Sequence, residues 1–268
     1  MASCHIKHIL MKPTLARVLC AATLVLAAAG ANLFSAERDT AGAPALRVGV
    51  APVSPPMVFK DGKNIVGVEP DFARALGREL GRPVNFVEVA WEDLIDALVE
   101  KKIDIVMSSI SITRARQFRV LFSDPYLRIG QMALVRADEK FRYGLLENSL
   151  ASRTIGLKKA TTGDLLVQQE FPRAKRKYYR SGADAAKALK KGAIDLFIDD
   201  SPMIWYLAGV NEAQGLDVAP MIFSDEVLAW AMRPSDTQLR DSVNAFLKKA
   251  TASGELNQTI RRWIPKFQ

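Results

Sequence analysis

The densest polar stretch of the chain reads Ser108-Ser109-Ile110-Ser111-Ile112-Thr113-Arg114-Ala115-Arg116, and it begins where the apolar run Ile103–Met107 ends. Serine hydroxyls, loop N–H groups and an arginine at the carboxyl end of a strand form an anion-binding arrangement. The same residues suit a plainer role, a helix cap at Thr113 with solvated arginines. Asp199-Asp200 follows the apolar run Ile194–Ile198. These acids can hold a cation, or one of them can cap a helix beside Ser201-Pro202, where Ser is already a cap and Pro suits the first helical position. A third block, Lys159-Ala160-Thr161-Thr162-Gly163-Asp164, follows Thr154–Leu157. Its hydroxyls at a helix N-terminus suit a carboxylate or phosphate, with capping by Thr162 as the simpler alternative.

Much other chemistry lacks its residues. The chain has 268 residues, and its two Cys and two His are Cys4, His5, His8 and Cys20. With that start removed, no Ser-His-Asp or Cys-His mechanism is available. Neither is a zinc site of the usual Cys and His ligands, nor a disulfide. Phosphate-loop spacing is absent and no GxGxxG follows the first strand, so nucleotide binding has little support. Arg173, Lys175, Arg176, Lys177 and Arg180, with Tyr178 and Tyr179, read as a solvated face with the tyrosines packed in a strand, not as a nucleic-acid surface. We expect no catalytic residue, no metal ligand, no cofactor and no nucleic-acid partner.

The start reads as an export segment. Lys7, Lys12 and Arg17 precede the apolar stretch Val18–Ala29, and Ala29-Gly30-Ala31 has the small-x-small pattern of a cleavage site. We expect a signal peptide over residues 1–31 and a flexible lead-in over 32–44. An uncleaved anchor is the alternative, because Asn32-Leu33-Phe34 extends the apolar run. Cleavage removes three basic residues and no acidic one, taking the formal charge from +8 to +5.

Stepping along the mature chain, strand and helix patterns alternate. Leu46–Val50, Val84–Val89 and Ile103–Met107 read as strands, and Asp61-Gly62 as a turn. Asp71 caps a helix with Phe72, Ala75, Leu76 and Leu80 on one face, stopped by Gly81 and Pro83. Leu94, Ile95 and Leu98 have helical spacing. A second series has strands Thr154–Leu157, Arg176–Tyr179 and Ile194–Ile198, a Ser181/Asp184 capping box and a helix from Ser201-Pro202. Strand Leu228–Met232, a helix capped by Ser235 and a last helix from Ser253 to Trp263 end the chain. Such βαβ succession implies α/β lobes with mostly parallel sheets. The tail can complete the first lobe, with crossings near 131–136 and 223–229.

These residues resemble a known family. LRVGV, VGVEPDFARALGRELG, WEDLIDALVEKKIDIVMSSISITRARQ, FSDPY, KKATTGD, IDLFIDDSP and LNQTIRRWIP are similar to the bacterial extracellular solute-binding proteins of family 3, receptors of polar amino acid ABC transporters. The resemblance covers nearly all of Ala45 to Pro265. It implies a type II periplasmic binding protein fold: two α/β lobes joined by two hinge strands, closing over a ligand. Lobe 1 would comprise residues 45–133 and 228–268, and lobe 2 residues 134–227.

By that resemblance Arg116 binds a ligand carboxylate with Ser109 and Ser111. Thr161 and Thr162 add donors from the other lobe, Asp200 takes the α-ammonium, and Trp91 covers the apolar part. Ser108, Asp199 and Ser54 complete the candidate set. Two departures stand out. The family's acid and aromatic after the first strand fall at Ala51 and Ser54, which argues against Lys, Arg or ornithine as ligand. The first position of the family's GTT turn is Ala160. The implied protein is a monomeric periplasmic receptor, not an enzyme. It would pass a small amino acid or similar zwitterion to the permease of an ABC transporter in the inner membrane. A sensing module of the same fold is the alternative, and a cyclohexadienyl-dehydratase-like enzyme a more distant one.

Overall fold

In the computed structural model, residues 42–143 and 150–265 are described; the expected signal peptide and most of the lead-in lie outside them. The first sheet runs Val84–Glu88, Leu46–Val50, Ile105–Val106, Ala231–Met232, Leu121–Phe122. Its first three strands are parallel, and Ala231–Met232 enters antiparallel between Ile105–Val106 and Leu121–Phe122. Apolar residues on nearly every position of Leu46–Val50 suit a strand covered on both faces. Helix Val68–Leu80 lays Val68, Phe72, Ala73 and Leu76 into one core. There they meet Val243, Phe246 and Ile260 from the two C-terminal helices, Thr237–Ala252 and Glu255–Trp263.

The second sheet runs Lys175–Tyr178, Thr154–Leu157, Leu196–Asp200, Gln131–Arg136, Leu216–Ile222. Helices Thr162–Glu170, Gly182–Lys190 and Ser201–Asn211 belong to this α/β lobe. Between the two sheets in the chain lies an antiparallel ribbon of Leu127–Ile129 with Glu226–Leu228. The protein therefore has two sheet-rich α/β lobes, the expected fold class. A small meander of Val53–Ser54, Val58–Asp61 and Asn64–Val66 follows the first strand, its turn made by Gly62 at φ 57°.

Several local expectations need correction. Helix Val68–Leu80 starts one turn earlier than expected with Gly67 at its N-cap, so Asp71 lies in its first turn and accepts from Trp263 Nε1 at 2.9 Å and Arg262 at 3.0 Å. Thr161, not Thr162, caps helix Thr162–Glu170 by accepting from Asp164 N. Ser201 is the first residue of its helix and Asp200 its N-cap, while Asp236 replaces Ser235 as the N-cap of Thr237–Ala252. The run Leu228–Met232 is split, because Ala229 and Trp230 carry the chain from the ribbon into the first sheet. Tyr178 is exposed, whereas Tyr179 packs on the second lobe's core. Half of the Ser181/Asp184 box is present: Ser181 Oγ accepts from Asp184 N at 3.2 Å, while the Asp184 carboxylate accepts from the Ser181 hydroxyl at 2.7 Å in place of the backbone N–H.

A charged cluster locks the C-terminal return into the first sheet. Asp104, just before strand Ile105–Val106, accepts from Arg47 N, Nε and Nη2 at 3.0, 3.2 and 2.7 Å, and from Arg233 Nη2 at 3.3 Å. Burial opposes ionisation of Asp104, but these bonds outweigh it and hold the carboxyl below its ordinary value. Asp104→Asn should therefore cost about 2 kcal/mol of unfolding free energy at neutral pH. A depressed native pKa supplies stability that is present above the unfolded value and lost as the pH falls through the native one. The gap between wild type and variant should thus close below pH 3.8, the ordinary value. Denaturant titrations at several pH values measure it; a gap that does not vary with pH would contradict this account.

Candidate functional site

The first wall of the site grows from strand Ile105–Val106. Ser108 Oγ accepts from Ala51 N at 2.9 Å, tying the serine loop to the end of the first strand. Ser109 has a left-handed backbone, φ 57°, unusual for a residue with a side chain. Its N–H is held by the buried carboxylate of Glu69 at 2.7 Å. The expected cap at Thr113 is present as well, its Oγ1 accepting from Arg116 N at 3.2 Å. The cap does not exclude a ligand role, since it fixes the four-residue helix that carries Arg116.

Arg116 donates from Nη1 to Ser111 O at 2.9 Å and lies over Trp91, 5.4 Å from the ring centroid. Burial lowers its pKa and the charges of Asp200 and Glu226 oppose that shift; a guanidinium there remains a cation.

The second wall comes from strands Thr154–Leu157 and Leu196–Asp200. Asp200 sits in the N-cap position of Ser201–Asn211 without making a cap bond. Its Oδ1 instead accepts from Gln131 Nε2 at 2.6 Å. Burial and the neighbouring charge of Asp199 push the Asp200 carboxyl up to about 7, against the pull of Lys158. Asp199 Oδ1 accepts from Asp200 N at 2.8 Å, and its Oδ2 lies 3.1 Å from Lys158 Nζ.

One hollow is lined by Ser54, Trp91, Ser108, Ser109, Ser111 and Arg116 on one side and Thr161, Thr162, Asp199 and Asp200 on the other. The ten candidates thus come together. Lys158 joins them, and the sequence reading passed over it for its neighbour Lys159, which is exposed. Lys158 is the first residue after strand Thr154–Leu157, so the rule that ligands bind beyond strand carboxyl ends marked it. Gln131 and Glu226, which reach Asp200, Thr162 and Ser111 from behind, were also missed. An outer hollow of about 250 Å³ adjoins at Arg116, Thr161 and Thr162. Among the described residues, no group of three or more His, Cys, Asp or Glu is placed to hold a metal ion.

Contacts bridge the two walls directly. Trp91 Nε1 donates to Ala160 O at 3.2 Å, and Arg116 Nη2 lies 3.5 Å from the same oxygen. Lys158 Nζ reaches Ser54 Oγ at 3.0 Å. Two walls of opposite formal character, an arginine facing an aspartate, can grip both ends of a zwitterion.

Comparison with known proteins gives the same direction. The family model for bacterial extracellular solute-binding proteins, family 3, matches residues 46–266. The chain belongs to that family. Among curated relatives of this family-3 protein, the ABC transporter glutamine-binding protein GlnH of Bacillus subtilis is 27% identical over 204 residues, 75% of this chain and 73% of the relative. ABC transporter arginine-binding protein 1 of Escherichia coli is 28% identical over 248 residues, 91% and 99% of the two chains. In solved structures, a P235GK mutant of ArgBP from T. maritima superposes with TM-score 0.77 at 32% identity, covering 82% of this chain and 95% of that one. The ancestral amino acid-binding protein AncCDT-1, a precursor of cyclohexadienyl dehydratase, gives 0.75 at 32% identity, with 82% and 94% covered.

The cross-wall bonds yield a prediction. Trp91→Ala removes the indole bond to Ala160 and the surface on which Arg116 rests. The variant, measured without added ligand, should have a larger radius of gyration by small-angle X-ray scattering than the wild type. Superimposable profiles would show that this contact does not hold the walls together.

Proposed function

We propose that the protein is a monomeric periplasmic receptor for an α-amino acid with an uncharged polar side chain, which it delivers to the permease of an ABC importer. The reading takes residues 1–31 as a cleaved export segment and keeps the two lobes expected as 45–133 with 228–268 and 134–227, with the first boundary drawn back so that strand Gln131–Arg136 falls whole in the second. What carries it is the opposition of Arg116 and Asp200 across one hollow, Arg116 on the short helix that follows strand Ile105–Val106 of one sheet and Asp200 at the end of strand Leu196–Asp200 of the other. In this reading Arg116 takes the carboxylate with the Ser109 hydroxyl and the main-chain N–H of Ser111, and Asp200 takes the ammonium. Thr161 and Thr162 donate from the second wall, and Trp91 covers the aliphatic part.

The relatives are named for the binding of amino acids, among them glutamine and arginine. Here the side-chain end of the hollow argues against a cationic ligand. Ala51 and Ser54 offer no acid, and Lys158, its side chain 14% exposed, already stands there against Asp199. A second cation beside that ammonium would be repelled at low effective dielectric. An uncharged amide or hydroxyl can accept from Lys158 without disturbing its pairing with Asp199.

A thermal-shift screen of the twenty proteinogenic L-amino acids tests the reading. Uncharged polar members should raise the melting temperature, and Arg and Lys should not. Two charge-assisted bonds of about 1.5–3 kcal/mol each rest on Arg116, so Arg116→Ala should weaken binding by about 100-fold or more. Binding undiminished by that change would sink the assignment. Lys158→Ala leaves Asp199 without its cation, and the screen should then report gain of a shift with Arg or Lys; an unaltered preference would show that Lys158 does not set selectivity. Affinity should also fall as the pH drops below about 7, because a protonated Asp200 cannot pair with an ammonium.

A further inference from the structure

Two residues outside the predicted site connect its walls from behind. Gln131 opens strand Gln131–Arg136, and Glu226 opens strand Glu226–Leu228; they meet at 3.1 Å, Nε2 to Oε1. Glu226 Oε2 accepts from Ser111 Oγ at 2.6 Å, so that hydroxyl's proton is committed and its lone pairs are left to accept. Ser224 Oγ donates to Glu226 Oε1 at 2.7 Å and accepts from Gln131 N at 3.0 Å, fixing both residues. On the other side, Gln131 Nε2 reaches Asp200 Oδ1 at 2.6 Å and Thr162 Oγ1 at 3.2 Å.

An amide nitrogen carries two N–H groups, yet three oxygens crowd this one: those of Asp200, Glu226 and Thr162. The cluster is therefore richer in acceptors than in donors. Gly163 keeps room for the amide, since a Cβ there would stand 2.7 Å from Gln131 Oε1. An α-ammonium carries three donors and a full positive charge, which is what this arrangement lacks.

We propose that Gln131 and Glu226 are positioning residues that make the site read a charged α-ammonium: Gln131 aims Asp200, Glu226 turns Ser111 into an acceptor, and the pair joins the two. The proposal rests on the amino acid reading given above. Arg116, Asp199, Lys158 and Glu226 are the charged groups that surround Asp200.

The test uses Glu226→Gln, with Gly163→Ala as a second variant that displaces the amide without altering charge. Each is titrated at about pH 8, where Asp200 is ionised in all variants, with the twenty L-amino acids and with the α-hydroxy acids of the same side chains. In the wild type the amino acid should bind at least ~100-fold tighter than its hydroxy analogue. In either variant that ratio should fall to about tenfold or less, through loss on the amino acid alone. Equal loss on both compounds, the mark of a merely structural role, would overturn the proposal.

A second readout needs no ligand. The Asp200 carboxyl, followed by ¹³C NMR as a function of pH, should titrate lower in Glu226→Gln by about half a unit or more, because a neighbouring anion has gone. If no panel member binds the wild type, the amino acid reading falls, and the titration decides by itself whether Glu226 acts on Asp200. A lowered Asp200 then supports it and an unmoved one overturns it.

Discussion

A single buried carboxylate, Glu69, fixes the geometry on which the first wall depends. It is fully enclosed and receives three donors: Ser109 N at 2.7 Å, the Tyr126 hydroxyl at 2.5 Å and Trp230 Nε1 at 2.8 Å. Burial pushes its pKa up to about 7, while those donors favour the ionised form. The donors come from distant places. Ser109 is in the ligand loop, Tyr126 precedes the ribbon strand Leu127–Ile129, and Trp230 follows its partner Glu226–Leu228. Glu69 lies near the N-terminus of helix Val68–Leu80, where a negative charge is favoured. One side chain thus ties the ligand loop to both segments through which the chain passes between lobes. Leaving any of these donors without its acceptor would cost about 1–3 kcal/mol.

That anchoring explains a strained backbone. Of the three non-glycine residues at positive φ among the described residues, Ser109 and Ala160 lie in the site and Lys101 in a turn. A left-handed residue with a Cβ costs about 1–2 kcal/mol and persists where its surroundings over-determine it. For Ser109 the surroundings are Glu69 and the Ser108 bond to the first strand. For Ala160, the carbonyl that this conformation orients accepts the indole N–H of Trp91 from the opposite wall. Each wall therefore carries one strained residue, and in each the strain directs a backbone group to where the other residues need it.

The sequence was informative wherever a property is local. Apolar runs marked the strands, and Gly81 marked a helix end through its left-handed cap at φ 63°. The three polar blocks were legible because each stands at the carboxyl end of a strand. Caps were misplaced by a residue or a turn, since Thr161 and Thr162, or Ser201 and Asp200, differ too little in type to rank without the backbone. Gln131 and Glu226 could not be read at all. They are 95 positions apart, and only the crossing of two segments brings them together. Nothing in an otherwise apolar strand says that its first residue faces a carboxylate.

The same distinction separates how the site holds a ligand from what it selects. In the proposed reading, the residues that grip the ligand backbone, Arg116, Ser111, Thr161 and Asp200, follow from segments beyond strand ends, a feature of the fold. In that reading selection falls to the other end of the hollow, where Ser54, Lys158 and Asp199 form one polar chain across the walls at 3.0 and 3.1 Å. A buried ammonium is costly unless paired. Lys158 meets that cost through Asp199, which in turn anchors the backbone N–H of Asp200. The residue proposed to read the side chain is thereby coupled to the one proposed to read the ammonium. On that reading a change at Lys158 acts on both ends of the ligand, so that selectivity and affinity are not tuned independently.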